Sequence, residues 1–153
     1  MILAITGHRD ISAPIALQHQ LRKVYFSLMP TRILQGMAIG ADQIAARAAL
    51  DLGIPYVAVR PWAGHTAGED YTYILSKAAD VVVLDTGSSY KGPWQHHNRN
   101  RYLVDSSDHL LAIWVGRKSG GTYACIQYAN KKMRPVTVLD PVSMSLKDLQ
   151  CNV

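Results

Sequence analysis

Short runs of aliphatic and β-branched residues recur along the chain, separated by longer amphipathic stretches. They span Ile2 to Thr6, Arg32 to Gln35, Tyr56 to Val59, Asp80 to Leu84, His109 to Val115 and Val136 to Leu139. Apolar runs this short and continuous fit strands buried on both faces, and their alternation with helical patterns marks an α/β protein with a mostly parallel sheet. The expected architecture is a Rossmann-like, doubly wound sheet with helices on both faces. A chain of 153 residues suits one domain, 1–153, around one core.

The helical stretches carry their own punctuation. Residues 13–28 place Ile15, Leu17, Leu21, Val24, Tyr25 and Leu28 on one stripe, with Pro14 in the first turn and Ser12 as a cap. Residues 41–52 repeat small and apolar side chains at Ala41, Ile44, Ala45, Ala48, Ala49 and Leu52, stopped by Gly53, so this helix can sit close against a sheet. Further helices are expected near Asp70 to Ala78, Asn98 to Val104 and Thr122 to Lys132. The tail after Asp140 reads as an appended segment packing on the surface.

Composition narrows the function classes. No apolar run approaches the roughly 18 residues that span a bilayer, and the start "MILAIT" lacks the pattern of a signal peptide, so a cytoplasmic protein with no membrane partner is expected. Cys125 and Cys151 are far apart and outside any CxxC pair, which reads as two ordinary thiols. The adjacent His96 and His97 diverge on any regular element, so no metal and no cofactor are expected. Lys and Arg exceed Asp and Glu by 16 to 11, a net charge of +5 that favours anionic partners. The basic residues are scattered, with local concentrations at Arg99 and Arg101 and at Lys131, Lys132 and Arg134.

In an open parallel sheet, ligands bind beyond the carboxyl ends of the strands, where helix N-termini present N–H groups. Four loops there are rich in Gly and small polar residues: "TGHRD" at 6–10, "GMAIGAD" at 36–42, "DTGSSYKGPWQHHNRN" at 85–100 and "GRKSGGTY" at 116–123. Gly36 and Gly40 either let a ligand approach the main chain or only make a tight turn, while Asp42 either caps the following helix or holds a ribose hydroxyl. Gly120, Gly121 and Thr122 repeat the arrangement. Neither GxxxxGK[ST] nor a GxGxxG after a strand is present, which argues against a P-loop NTPase and a standard dinucleotide fold. Arg9, after Gly7 and His8, binds phosphate bidentately or is a solvated loop charge. Trp62 stacks on a base or packs half-buried, and Tyr90, Pro93 and Trp94 lie in the longest loop.

These loops together resemble the SLOG superfamily, the Rossmann-like group that includes the LOG-type nucleoside monophosphate phosphoribohydrolases, DprA and the YpsA-like proteins. The segments that carry the resemblance are "ITGHRD", "GMAIGADQIAARAALDLGIPYVAVRPW", "AADVVVLDTGSSYKGPWQHHNRNRYLVDSSDHLLAIW" and "SGGTYACIQYA", in order and over most of the chain. The resemblance implies a nucleotide or nucleotide-derived ligand, held as by a sensor or sequestering protein. Its phosphate or ribose falls to Gly7, Arg9, Gly36, Gly40, Asp42, Gly120, Gly121 and Thr122, with His8 and Trp62 beside them and Asn98, Asn100 and Asp105 shaping the base or sugar side. LOG-type enzymes carry PGGxGTxxE, whereas "SGGTYAC" lacks the Pro and the spacer and has Cys125 where the Glu would fall. N-glycosidic hydrolysis would therefore need another carboxylate: Glu69, Asp85 or Asp42. Single-stranded DNA binding is a third reading, weakened by the absence of an aromatic and basic stripe. The resemblance also implies a homo-oligomer. Tyr123, Ile126, Tyr128 and Ala129 then form either contact surface or core.

Overall fold

The computed structural model describes residues 1–149. Strands β1 (Ile2–Gly7), β2 (Arg32–Gln35), β3 (Tyr56–Arg60), β4 (Asp80–Val83), β5 (His109–Ile113), β6 (Val136–Leu139) and β7 (Leu146–Leu149) alternate with helices α1 (Pro14–Leu28), α2 (Ala41–Leu52), α3 (Tyr71–Lys77), α4 (Trp94–Asp105) and α5 (Gly120–Lys131) until β6. They form one sheet in the order β4-β3-β2-β1-β5-β6-β7. Every pairing is parallel except β6 with β7. This is the doubly wound α/β architecture expected from the alternation of short and long apolar patterns.

The pleat of each strand divides the core into two layers. Leu3, Ile5, Ile33 and Tyr56 face α1, α2 and α3, where they meet Leu17, Leu21, Tyr25, Ala45, Ala49 and Ile74. Ala4, Leu34, Val57, Leu110, Ala112 and Val136 face α4 and α5, against Leu103, Val104, Ile126 and Ala129. The small face of α2 is fully buried, and the Tyr25 hydroxyl crosses from α1 to donate to the Ala45 carbonyl at 3.0 Å. Ile126 and Ala129 therefore belong to the core, while the Tyr123 ring stacks on Trp114 and Tyr128 lies under Arg101 and Lys132.

Four expectations need correction. The tail after Asp140 is not merely appended: Asp140 Oδ1 accepts the N–H groups of Val142 and Ser143, turning the chain so that β7 adds an antiparallel edge strand with Leu139 opposite Leu146. Thr137 then donates to Asp148 at 2.7 Å across that pair. Helix α4 begins at Trp94 and absorbs residues expected to be loop, because its buried stripe is Gln95, Arg99, Asn100, Leu103 and Val104 and so is mostly polar. Ser12 does not cap α1, whose N-cap is Ala13 without a side-chain bond. Strand β5 stops at Ile113, and the Val115 N–H goes to His8 Nε2 at 3.1 Å. Cys151 lies outside the described residues. Among the described residues no helix is long and apolar enough to cross a membrane.

Two glycines bound α2 with different surroundings. Gly53, the C-cap, has φ +68° and open space where a Cβ would sit. Gly40, the N-cap, has φ +86°, and a Cβ there would overlap the Arg9 carbonyl. Gly53→Ala should cost about 1 kcal/mol from backbone strain alone, whereas Gly40→Ala should cost about 3 kcal/mol because overlap is added. Urea unfolding of the two variants measures the difference, and equal losses would contradict close packing of the first loop on α2.

Candidate functional site

β1 lies between β2 and β5, so the chain leaves it toward one side of the sheet and returns on the other; in open α/β sheets this reversal opens a crevice at the carboxyl edge. A cleft of about 280 Å³ occupies that place. The end of β1 and the loop after it contribute Gly7, His8, Arg9 and Asp10, the β2–α2 turn and the first turn of α2 contribute Ala38 and Asp42, and α4 contributes His96, His97, Arg99, Asn100 and Leu103. Arg117 and the entry to α5, Ser119 to Thr122, close the other wall.

Arg99 is the centre of its electrostatics. Only 6% of the residue is exposed; Nη1 donates to the Gly36 carbonyl at 3.2 Å, Nη2 to Asn100 Oδ1 at 3.4 Å, and Nε has no hydrogen-bond partner. The side chain lies where a residue other than glycine could not stand, since a Cβ on Gly36 would come 2.5 Å from Arg99 Cδ. Burial lowers the pKa of the guanidinium, against the opposing charge of Asp42. Asp42 is itself buried, and desolvation raises its pKa against Arg99 and the Ala38 and Gly36 N–H groups. Neither makes an ion pair among the described residues, and the same holds for Arg9 and Arg117.

Two histidines of the cleft, His96 and His8, have lowered pKa values. Burial, then Arg99 and Arg9, lowers the His96 pKa to about 4, and its Nδ1 has no hydrogen-bond partner. His8 is lowered by burial and by Arg117; because its Nε2 accepts from Val115, its proton sits on Nδ1. Arg9, Arg99 and Arg117 line the cleft together with Asp10 and Asp42.

The two glycine turns differ. At "GMAIGAD" the Met37 N–H goes to Gln35 Oε1 at 2.7 Å, Ala38 N–H to Asp42 Oδ2 at 3.1 Å and Ala41 N–H to the His8 carbonyl at 3.0 Å. These amides are taken up inside the protein, Gly36 and Gly40 accommodate Arg99 and the Arg9 backbone, and neither glycine lines the cleft. Asp42 caps nothing in α2 but holds the turn before it. At α5 the N-cap Ser119 makes no side-chain bond, the first turn has no acidic residue, and nothing lies within 4 Å of where a Cβ would sit on Gly120 or Gly121. Gly120 has φ +87°, a conformation that suits glycine.

The remaining candidates divide accordingly. Gly7, His8, Arg9, Asp42, Asn100, Gly120, Gly121 and Thr122 are brought together in the cleft. Asn98 is exposed on α4 outside the lining, and Asp105 accepts the Tyr128 hydroxyl at the far end of that helix. Trp62 packs against His65, Tyr90 and His96 beside the cleft. Glu69 is exposed and apart from it. Asp85 organises its own loop: its carboxylate accepts Gly87 N–H at 2.9 Å, Gln95 Nε2 at 3.0 Å and Lys91 Nζ at 3.4 Å, and these bonds lower its pKa, Gly87 foremost. Of the three carboxylates considered for hydrolysis, only Asp42 lines the cleft. Cys125 is buried, which pushes its thiol pKa up to about 12. Among the described residues no group of three or more His, Cys, Asp or Glu side chains could hold a metal ion.

The sequence pattern had assigned no anion-binding role to Arg99, His96 or Arg117. The signal was there for Arg99: a polar stripe Gln95–Arg99 at helical spacing, ahead of Leu103, marks a helix that buries a charge.

The chain has relatives in sequence and in fold. The chain is 36% identical over 64 residues to a UPF0398 protein of Bacillus thuringiensis, a match covering 42% of this chain and 34% of the relative. It thus spans about a third of the length of the curated relatives it matches. Among solved structures, DNA processing protein A from Helicobacter pylori, described by its single-stranded DNA binding mode, superposes with TM-score 0.72 at 21% identity over 92% of this chain and 65% of that one. DprA from Streptococcus pneumoniae gives TM-score 0.76 at 20% identity over 92% and 52%. The molybdenum cofactor carrier protein from Chlamydomonas reinhardtii gives 0.61 at 20% identity over 90% and 74%. At such identities these likenesses bear on fold alone. The family model of DNA recombination-mediator protein A matches residues 1–152, and the chain belongs to that family.

Proposed function

We propose that the cleft binds a phosphate-bearing, nucleotide-type ligand. One observation carries this reading: the uncapped N-terminus of α5, open at Gly120 and Gly121, shares a cleft with a buried Arg99 whose Nε is unpartnered. The first N–H groups of a helix have no partner within it and sit at the positive end of its dipole, so an anion placed there meets donors already oriented. A guanidinium held in one geometry by Gly36 and Asn100 loses little freedom when it adds a bond to that anion.

Size and charge narrow the ligand class. Small-molecule pockets run from about 300 to 1,000 Å³, so a cleft of about 280 Å³ suits a mononucleotide better than a dinucleotide. Asp42 is tied to Ala38 N–H and neighboured by Arg99. We read it as holding the turn and setting the Arg99 charge, which favours binding over glycosidic cleavage. A sensor or sequestering role follows from binding without turnover. Family membership supports a second reading, contact with single-stranded DNA, because the Helicobacter pylori relative is described by that activity.

Two measurements test the reading. Gly121→Asp places a carboxylate in open space at the α5 N-terminus. It should leave thermal unfolding nearly unchanged while weakening AMP at least about tenfold, or about 1.4 kcal/mol, in calorimetry. Undiminished affinity would remove the α5 site from consideration. Second, a mononucleotide site predicts affinity nearly independent of oligonucleotide length, whereas a strand-binding surface predicts affinity that climbs with length and falls steeply with salt. Fluorescence anisotropy across a length series at two salt concentrations separates them.

A further inference from the structure

Trp62 is not a lone loop aromatic. Its ring centroid lies 4.8 Å from His65, 5.5 Å from Tyr90 and 5.5 Å from His96, and Tyr90 is 5.8 Å from His96. The inner layer is fixed: His65 Nδ1 pairs with the Tyr71 hydroxyl at 2.8 Å, and Arg60 Nε donates to that hydroxyl at 3.1 Å. The outer ring, Tyr90, is 55% exposed, yet its loop is tightly organised. Asp85 takes the Gly87 N–H and the Gln95 amide, Lys91 N–H goes to Gln95 Oε1, and the Ala63 N–H meets the carbonyls of Asp85 and Gly87. An aromatic ring half in water, held in place by a scaffold of this kind, is not accounted for by core packing.

His96 joins this wall to the cleft, since it lines the cleft and touches both Trp62 and Tyr90. We propose that Trp62, Tyr90 and His96 form a nucleobase-stacking wall beside the anion cleft, so that a nucleoside monophosphate binds with its phosphate at α5 and its base against these rings. The proposal rests on the phosphate-site reading above and adds the base to it. Flat heteroaromatic bases stack on aromatic side chains whatever their edge pattern, so the wall confers preference for a base without strong selection among bases. Burial and the neighbouring Arg99 hold the His96 pKa at about 4, so the ring joins the wall as a neutral aromatic surface.

The test separates base from phosphate by comparing AMP with ribose 5-phosphate in calorimetry. Wild-type protein should bind AMP about tenfold more tightly, within the range that stacking supplies. Tyr90→Leu, at an exposed position that leaves folding intact, and Trp62→Leu should each reduce that ratio severalfold while ribose 5-phosphate affinity stays constant; Gly121→Asp should weaken both ligands together. Equal affinities in the wild type, or a ratio unchanged in both Leu variants, overturns the wall and leaves the anion cleft standing. Failure of both ligands to bind the wild type overturns the anion cleft, and the wall with it.

Discussion

A guanidinium buried at the carboxyl edge of the sheet is the constraint around which this end of the molecule is built. Arg99 reaches from α4 into the space left by Gly36 at the end of β2, where it donates to that residue's own carbonyl. Burying such a charge is costly unless its donors are occupied and a counter-charge is near. Gly36, Asn100 and Asp42 meet most of that requirement, and they come from the β2–α2 turn, α4 and the first turn of α2. The arrangement ties α4 to the opposite layer's turn and leaves Nε buried beside Gly36 without a hydrogen-bond partner.

The same constraint explains why two similar glycine turns have different fates. The turn before α2 must hold Asp42, receive Arg99 and support the first loop, and its amides are occupied in doing so. The turn before α5 has none of these duties. Ser119 is extended and bonds to nothing through its side chain, Gly120 and Gly121 are unobstructed, and the helix dipole is unopposed by any acidic residue in the first turn. One turn thus serves the architecture of the site and the other remains available to a ligand.

Family membership fits this division of labour. Solved relatives near 20% identity keep the sheet and its helices across more than nine-tenths of this chain. A fold retained at that distance is held by core pattern and edge geometry, while loops over the carboxyl edge are free to change what they carry.

The sequence by itself determined the six parallel strands and the close-packed α2, because short continuous apolar runs and a small-residue stripe each have one economical physical explanation. Its Gly-rich strand ends also pointed to Arg9, Asp42, Asn100 and the Gly120–Thr122 turn, which meet in one cleft. Tertiary structure alone decided the rest. The first turn of α4, ahead of the expected Asn98 to Val104, was hidden because the buried face there starts with Gln95 and Arg99, whose burial depends on partners far away in the chain. β7 was hidden because two charged residues between two leucines acquire meaning only beside β6. The roles of Gly36 and Gly40 were reassigned for the same reason: what fills the space beside a glycine, a ligand or the protein's own Arg99 and Arg9, is set by contacts that local pattern does not record.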